Sequence, residues 1–321
     1  MAIVAGIDEA GLGPILGPLV ISASVFDVPD ALGEQSLWQL LAGAVTRRSI
    51  RRSPAVPIAD SKTLHVRTDG LVHLERGVLG MLAQSGPVPP SLKDLLRRIA
   101  PGTARQMGGY PWYGGADLPL PLHADAGDLA LRANGLDEAM ERTGLALRAI
   151  RAEPVLAGEY NRLVAATRNK SMASWSVLVR LIAWVVATHA GGGATRILVD
   201  RQGGRIRYRP HLQRAFEGAG MRILEESEDR SAYEVEWQGK NFEIAFAVNA
   251  ENLSLPVALA SMTSKYLREL FMELLNRWWG ERVEGLKPTA GYYTDGKRFL
   301  ADIAAALANL PIDPSLLVRS R

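Results

Sequence analysis

The sequence predicts an α/β fold, a mixed β-sheet flanked by helices. Three observations carry this. Short β-branched runs alternate with helical stretches along the chain. Two of those runs, AIVAGI and ATRILVD, lead straight into acids, Asp8–Glu9 and Asp200. And no run of apolar residues is both long and uninterrupted: the longest, SMASWSVLVRLIAWVVATHA, contains Arg180, which points to a buried helix rather than a membrane span.

Taken in order, AIVAGI forms the first strand and ILGPLVISASVF the second, joined by a Gly/Pro turn. Residues 31–50 read as helical, and ADSKTL (59–64) as a loop entering a helix. The stretch 65–155 holds amphipathic helices and a segment with loop chemistry, GGYPWYGGADLPLPLH. It is read as an inserted subdomain or arm in a single 1–321 domain. Residues 158–190 form a long helical region, and ATRILVD (194–200) a strand. A helix (210–219), a strand (221–225) and a hairpin centred on Gly239 and Lys240 follow, with 205–248 read as a smaller β-hairpin insertion. Residues 254–279 make one long helix with Pro256 in its first turn. A polar loop then leads to an Ala/Leu-rich helix.

The 321 residues suffice for one large or two modest cores. The chain has no cysteine, which excludes disulfides, thiolate catalysis and Cys-ligated metal centres. Together with an opening that lacks a basic n-region, this leads us to expect a cytoplasmic protein without a signal peptide. The net charge is +3 and the pI about 9.2. Basic residues cluster in TRRSIRRS (46–53) and RQGGRIRYR (201–209), as a solvated surface or a phosphate-binding one would require.

Acids at the carboxyl ends of neighbouring strands converge on one edge of an α/β sheet. Close carboxylate pairs repel by on the order of 4 kcal/mol at an effective dielectric near 20. Such a group must protonate or bind cations. Oxygen-only ligation favours Mg²⁺ or Mn²⁺, and two such ions can clamp both oxygens of a phosphodiester displacement.

The opening GIDEAGLGPILGPLVISASV resembles the first motif of the type 2 ribonucleases H (HII and HIII). The resemblance continues in order through ADSKTL, ILVD, ASMTSKYLRE (260–269) and GYYT (291–294). It implies a ribonuclease H-like sheet with a C-terminal helical extension. It also implies metal-binding, catalytic acids Asp8, Glu9, Asp200 and Glu269 holding two divalent ions, Mg²⁺ or Mn²⁺. Gly11, Leu12 and Gly13 would present backbone to a ribose 2′-hydroxyl. Ser61 and Lys62 would bind phosphate, and Tyr292 would pack on a deoxyribose. The implied activity is endonucleolytic cleavage of the RNA strand of RNA/DNA hybrids, leaving 5′-phosphate and 3′-hydroxyl ends, with no membrane and no small-molecule cofactor involved.

Departures from the family pattern are Leu12 in place of the HII arginine, Glu269 in place of aspartate, Pro-Thr-Ala-Gly before Tyr292, and the two insertions. Glu251 occupies the position of a further family acid. Residue by residue, plainer readings stay open: the glycines shape a turn, and Glu269 pairs with Lys265 at i,i+4. A ribonuclease H fold that binds nucleic acid with weakened or absent catalysis is the alternative function.

Overall fold

The computed structural model describes residues 1–48, 53–64 and 69–320. Residues 49–52 of the first basic cluster, and the last two residues of the predicted 31–50 helix, lie outside that description. Seven strands form the main sheet: β1 (Ala2–Ala10), β2 (Leu19–Val28), β5 (Ala146–Val155), β6 (Thr195–Asp200), β7 (Gly220–Glu226), β8 (Arg230–Trp237) and β9 (Lys240–Ala247). A separate parallel pair joins β3 (Val45–Thr46) to β4 (Val56–Pro57). The main order is β5-β2-β1-β6-β9-β8-β7. β1, β6 and β9 run parallel, and the remaining pairings are antiparallel. The mixed sheet flanked by helices is the predicted fold class.

The three parallel strands set the functional edge. Their carboxyl ends lie side by side, with Ile7 opposite Val199 and Asp200 opposite Ala247. One face is covered by the helix Leu255–Gly280, which crosses β1 and β2, and by Val72–Leu82, Leu92–Ile99 and Ala126–Thr143. The approach of the long helix to β1 is close enough to dictate a residue. A Cβ on Gly6 would lie 2.1 Å from the Val257 nitrogen, so only glycine fits there. The other face packs on Lys170–His189 and Arg209–Ala215. Lys170–His189 is long and apolar enough to cross a membrane, but here half of its apolar window is buried in the protein.

Several local expectations need correction. Within 31–48 the chain makes only a 3-10 turn, Asp30–Leu32, and one helical turn, Leu37–Leu40, before entering β3. Gly33 and Gly43 weaken a helix there, and Gly43 takes φ +90°. The region 158–190 is two helices, Ala157–Thr167 and Lys170–His189, broken where Arg168 turns left-handed and Asn169 caps the second. The β8–β9 hairpin turns on Gln238 and Gly239, both at positive φ, one residue earlier than predicted. The stretch 65–155 ends in β5, the edge strand of the main sheet, and its helices share the core of Leu255–Gly280. Likewise 205–248 contributes β7, β8 and β9 to the same sheet.

Candidate active site

Each parallel strand delivers an acid to the same edge. Asp8 and Glu9 end β1, and Asp200 ends β6. Beyond β9, Asn249 takes a left-handed conformation and starts the turn Ala250–Asn252, which carries Glu251. The Ala250 N–H donates to Asp200 Oδ1 at 2.9 Å and fixes that turn against β6. Asp8, Glu9, Asp200 and Glu251 line one cleft of about 260 Å³, together with Gly11, Leu12, Ser61, Lys62, Ser261, Lys265, Arg268 and Tyr292.

The loop after β1 is held by the chain around it. Gly11 sits at φ +88°, and a Cβ there would come 2.7 Å from the Pro18 carbonyl oxygen. Arg268 is buried and donates to the carbonyls of Pro18, Leu16 and Ala290 at 2.7, 3.2 and 2.9 Å. The N–H groups of Ile15 and Leu16 both donate to the Gly291 carbonyl. The segment before Tyr292 is thereby tied to the loop, and Tyr292 stands exposed at the cleft wall. Ser61 opens the helical turn Ser61–Leu64 and its buried hydroxyl lies 3.1 Å from that of Ser261 on the long helix. Next to it Lys62 is exposed, and its charge acts on both Asp200 and Glu251.

The acids resist ionisation together. Burial, then the charges of Asp200 and Glu9, push Asp8 well above the usual carboxylate range, against hydrogen bonds from Ser261 and from the Glu9 N–H (2.6 Å). Glu9 is pushed up to about 7, chiefly by burial, although Gln202 Nε2 donates to its Oε2 at 3.0 Å. Asp200 and Glu251 are also raised, each mainly by burial. The charges of Asp200 and Asp60 add to the rise at Glu251, against the charge of Lys62.

Of the residues predicted for the site, Asp8, Glu9, Gly11, Leu12, Ser61, Lys62, Asp200 and Tyr292 line the cleft, whereas Gly13 and Glu269 do not. Gly13 lies just beyond it, and a Cβ there would meet open space. Glu269 needs a closer look at the helix that carries it. The long helix turns Ser261, Lys265 and Arg268 toward the cleft, an i, i+4, i+7 face. Glu269 falls beside that face, where its Oε1 accepts from Lys265 Nζ at 2.5 Å. The fourth acid of the cleft is Glu251. Its signal in the sequence was an acid four residues past a third strand, in FEIAFAVNAE, the same strand-then-acid pattern as Asp8 and Asp200. Lys265, Arg268 and Gln202 went unassigned because a single sequence does not show which helix face or loop side turns inward.

An all-oxygen set of four carboxylates suits a hard divalent cation. Glu251 Oε2 is buried with no hydrogen-bond partner, an acceptor left open toward such an ion. As they stand, no three acidic or histidine side chains among the described residues close round a single point.

No protein-family model matches the chain, and no curated protein does. Solved structures do. Ribonuclease HII of Archaeoglobus fulgidus, solved in complex with PCNA, is 14% identical over 99% of this chain and 94% of its own, with a TM-score of 0.46. Bst-RNase HIII, solved with Mn²⁺, is 16% identical over 99% of this chain and 66% of its own, with a TM-score of 0.47. Ribonuclease H2 from Pyrococcus horikoshii OT3 is 17% identical over 99% and 92%, with a TM-score of 0.42. All three are ribonucleases H of the HII/HIII kind.

Proposed function

We propose that the chain is a divalent-metal-dependent endonuclease of the type 2 ribonuclease H kind, cutting the RNA strand of RNA/DNA hybrids to leave 5′-phosphate and 3′-hydroxyl ends. One observation carries the reading: four carboxylates from three adjacent parallel strands meet in a cleft that also holds the Gly11–Leu12 loop, Ser61, Lys62 and Tyr292. The five ordered sequence motifs support it independently, since all five contribute residues to this cleft.

Asp8, Glu9, Asp200 and Glu251 would hold Mg²⁺ or Mn²⁺, which when bound supplies positive charge for the scissile phosphate and an acidified water. The chain itself does the rest. Ser61 Oγ and Lys62 Nζ meet a backbone phosphate, with Lys265 of the same cleft adding a second cation. The loop backbone at Gly11–Leu12 meets the ribose 2′-hydroxyl, the group that distinguishes RNA from DNA. Tyr292, exposed at the rim, offers its ring to a neighbouring sugar. Binding through phosphates makes the affinity salt-sensitive.

The test is cleavage of two labelled duplexes, an RNA/DNA hybrid and a DNA carrying one ribonucleotide, with Mg²⁺ or Mn²⁺ and an Asp200→Asn control. The expected outcome is metal-dependent hybrid cutting that the control abolishes. Intact hybrid binding with no cutting under either metal selects the non-cleaving nucleic-acid-binding protein instead.

A further inference from the structure

We infer that Arg319 is a positioning residue for ribose recognition, holding the Gly11 and Leu12 carbonyls so that the Leu12 N–H faces the cleft and the Gly13 N–H its edge. The inference rests on the ribonuclease reading above and names what gives its sugar selectivity.

Arg319 lies far from the cleft in sequence and behind its loop in space. Its Nη1 donates to the Gly11 carbonyl and its Nη2 to the Leu12 carbonyl at 3.2 Å. The planar guanidinium fork thus spans two successive peptides of the loop. In a trans peptide the C=O and N–H point in opposite directions. Turning the Gly11 carbonyl toward Arg319 therefore turns the Leu12 N–H away from it, and the Leu12 carbonyl does the same for the Gly13 N–H. Neither N–H has a hydrogen-bond partner among the described residues. Two adjacent free donors suit an oxygen acceptor, such as a sugar hydroxyl or the phosphate beside it. Leu12 adds no charge or hydrogen bond of its own, so on this loop the backbone carries the recognition.

The guanidinium is buried, with its Nε left without a hydrogen-bond partner among the described residues. Arg319 is 3% exposed and lies over the Tyr160 ring at 4.0 Å. Its own N–H donates to the Ile15 carbonyl at 2.9 Å. Asn161 Nδ2 donates to the carbonyls of Ser315 and Val318, both at 2.8 Å, docking the 313–320 segment against the helix Ala157–Thr167. Its two charge-assisted hydrogen bonds go to the loop carbonyls, beside the Tyr160 ring.

The experiment compares wild type with Arg319→Lys, Arg319→Met and, as a control that loosens the same segment without touching the guanidinium, Asn161→Ala. Two quantities are read on the full chain: the ratio of dissociation constants for an RNA/DNA hybrid and a DNA duplex of the same sequence in Ca²⁺, and KM and kcat for hybrid cleavage. Arg319→Met should reduce the preference for hybrid about tenfold, the scale of a lost charged hydrogen bond, while leaving DNA-duplex affinity within about twofold. Arg319→Lys, a point donor able to hold one carbonyl, should fall between. Asn161→Ala should lower Tm and leave the ratio unchanged. An unchanged ratio in both Arg319 variants, with wild type selective for hybrid, overturns the inference alone. Wild type that binds hybrid and DNA duplex equally overturns the ribonuclease reading, and this inference with it.

Discussion

Two places in this protein bury carboxylates, and they are built in opposite ways. Glu75, on the helix Val72–Leu82, is fully buried. It accepts the N–H groups of Leu122, His123 and Ala124 at 2.5, 2.8 and 2.7 Å and the Tyr266 hydroxyl at 3.1 Å. Its charge is spread over four donors and no other acid faces it in those contacts. In the cleft, four carboxylates share few donors and face one another, and one oxygen of Glu251 has none. Burial of an acid is therefore not the mark of a site. Burial without enough donors is, because only a ligand can complete it.

The sharpest break is a substitution at each place. Glu75→Ala takes the acceptor from the buried Ala124 N–H and Tyr266 hydroxyl and from two part-buried N–H groups, and should cost about 3–4 kcal/mol, read as a lower urea midpoint. Cleavage per folded molecule should stay close to wild type. Glu251→Gln removes a like charge and should leave metal-free stability equal or higher by about 1 kcal/mol, with cleavage lost. If Glu251→Gln destabilised as Glu75→Ala does, the cleft acids would be structural.

The second effect is nearly as large and depends on pH. Glu9 titrates near 7 in the folded chain against an ordinary 4.5. A raised carboxyl costs nothing below its unfolded value. The cost builds as pH rises from about 4.5 to 7, and is constant above. Metal-free stability should therefore fall across that window, by on the order of 3 kcal/mol from Glu9 alone. Glu9→Gln should flatten that part of the curve. Mn²⁺ should raise Tm clearly at pH 8 and little at pH 5, where the acids hold protons. An equal Mn²⁺ effect at both pH values would sever the link between these acids and the metal.

Much of this was legible in the sequence, for identifiable reasons. Strands ending on acids are local patterns, so β1, β6 and the placing of Asp8, Glu9 and Asp200 at strand ends could be read directly, whereas their meeting depends on strand order, which spacing does not show. Gly11 was legible as a loop glycine, and its φ of +88° supplies the reason. Glu269 matches a motif by position, whereas lining the cleft depends on helix phase. Ser261, Lys265 and Arg268 point inward and Glu269 does not. Arg319 and Glu75 were invisible, since their partners lie 308 and 47 residues away and nothing local announces the contact. Residues 31–48 misled because their apolar content suggested a helix that the glycines and short turns override.

The smallest expected effect concerns Glu269, and it probes a third way of treating an acid, pairing it with a lysine. The Lys265–Glu269 contact is partly exposed, with about a fifth of each side chain open to solvent. An i,i+4 pair of that kind contributes a few tenths of a kcal/mol, so Glu269→Gln should scarcely move Tm. What changes is Lys265, which loses its tether and samples more rotamers over the cleft. A freed lysine meets phosphate less often, so KM should rise about two- to fivefold while kcat stays within about twofold. Glu269→Asp shortens the reach to Lys265 and should fall between. A metal ligand behaves otherwise: its loss lowers kcat by orders of magnitude and shifts the metal concentration needed for half activity. Measuring KM, kcat and the Mn²⁺ requirement of Glu269→Gln beside Glu251→Gln therefore separates the two acids. If Glu269→Gln loses kcat as Glu251→Gln does, the helix turns under substrate to bring Glu269 into the cleft, and the contrast between tethered and unsatisfied acids fails at that residue.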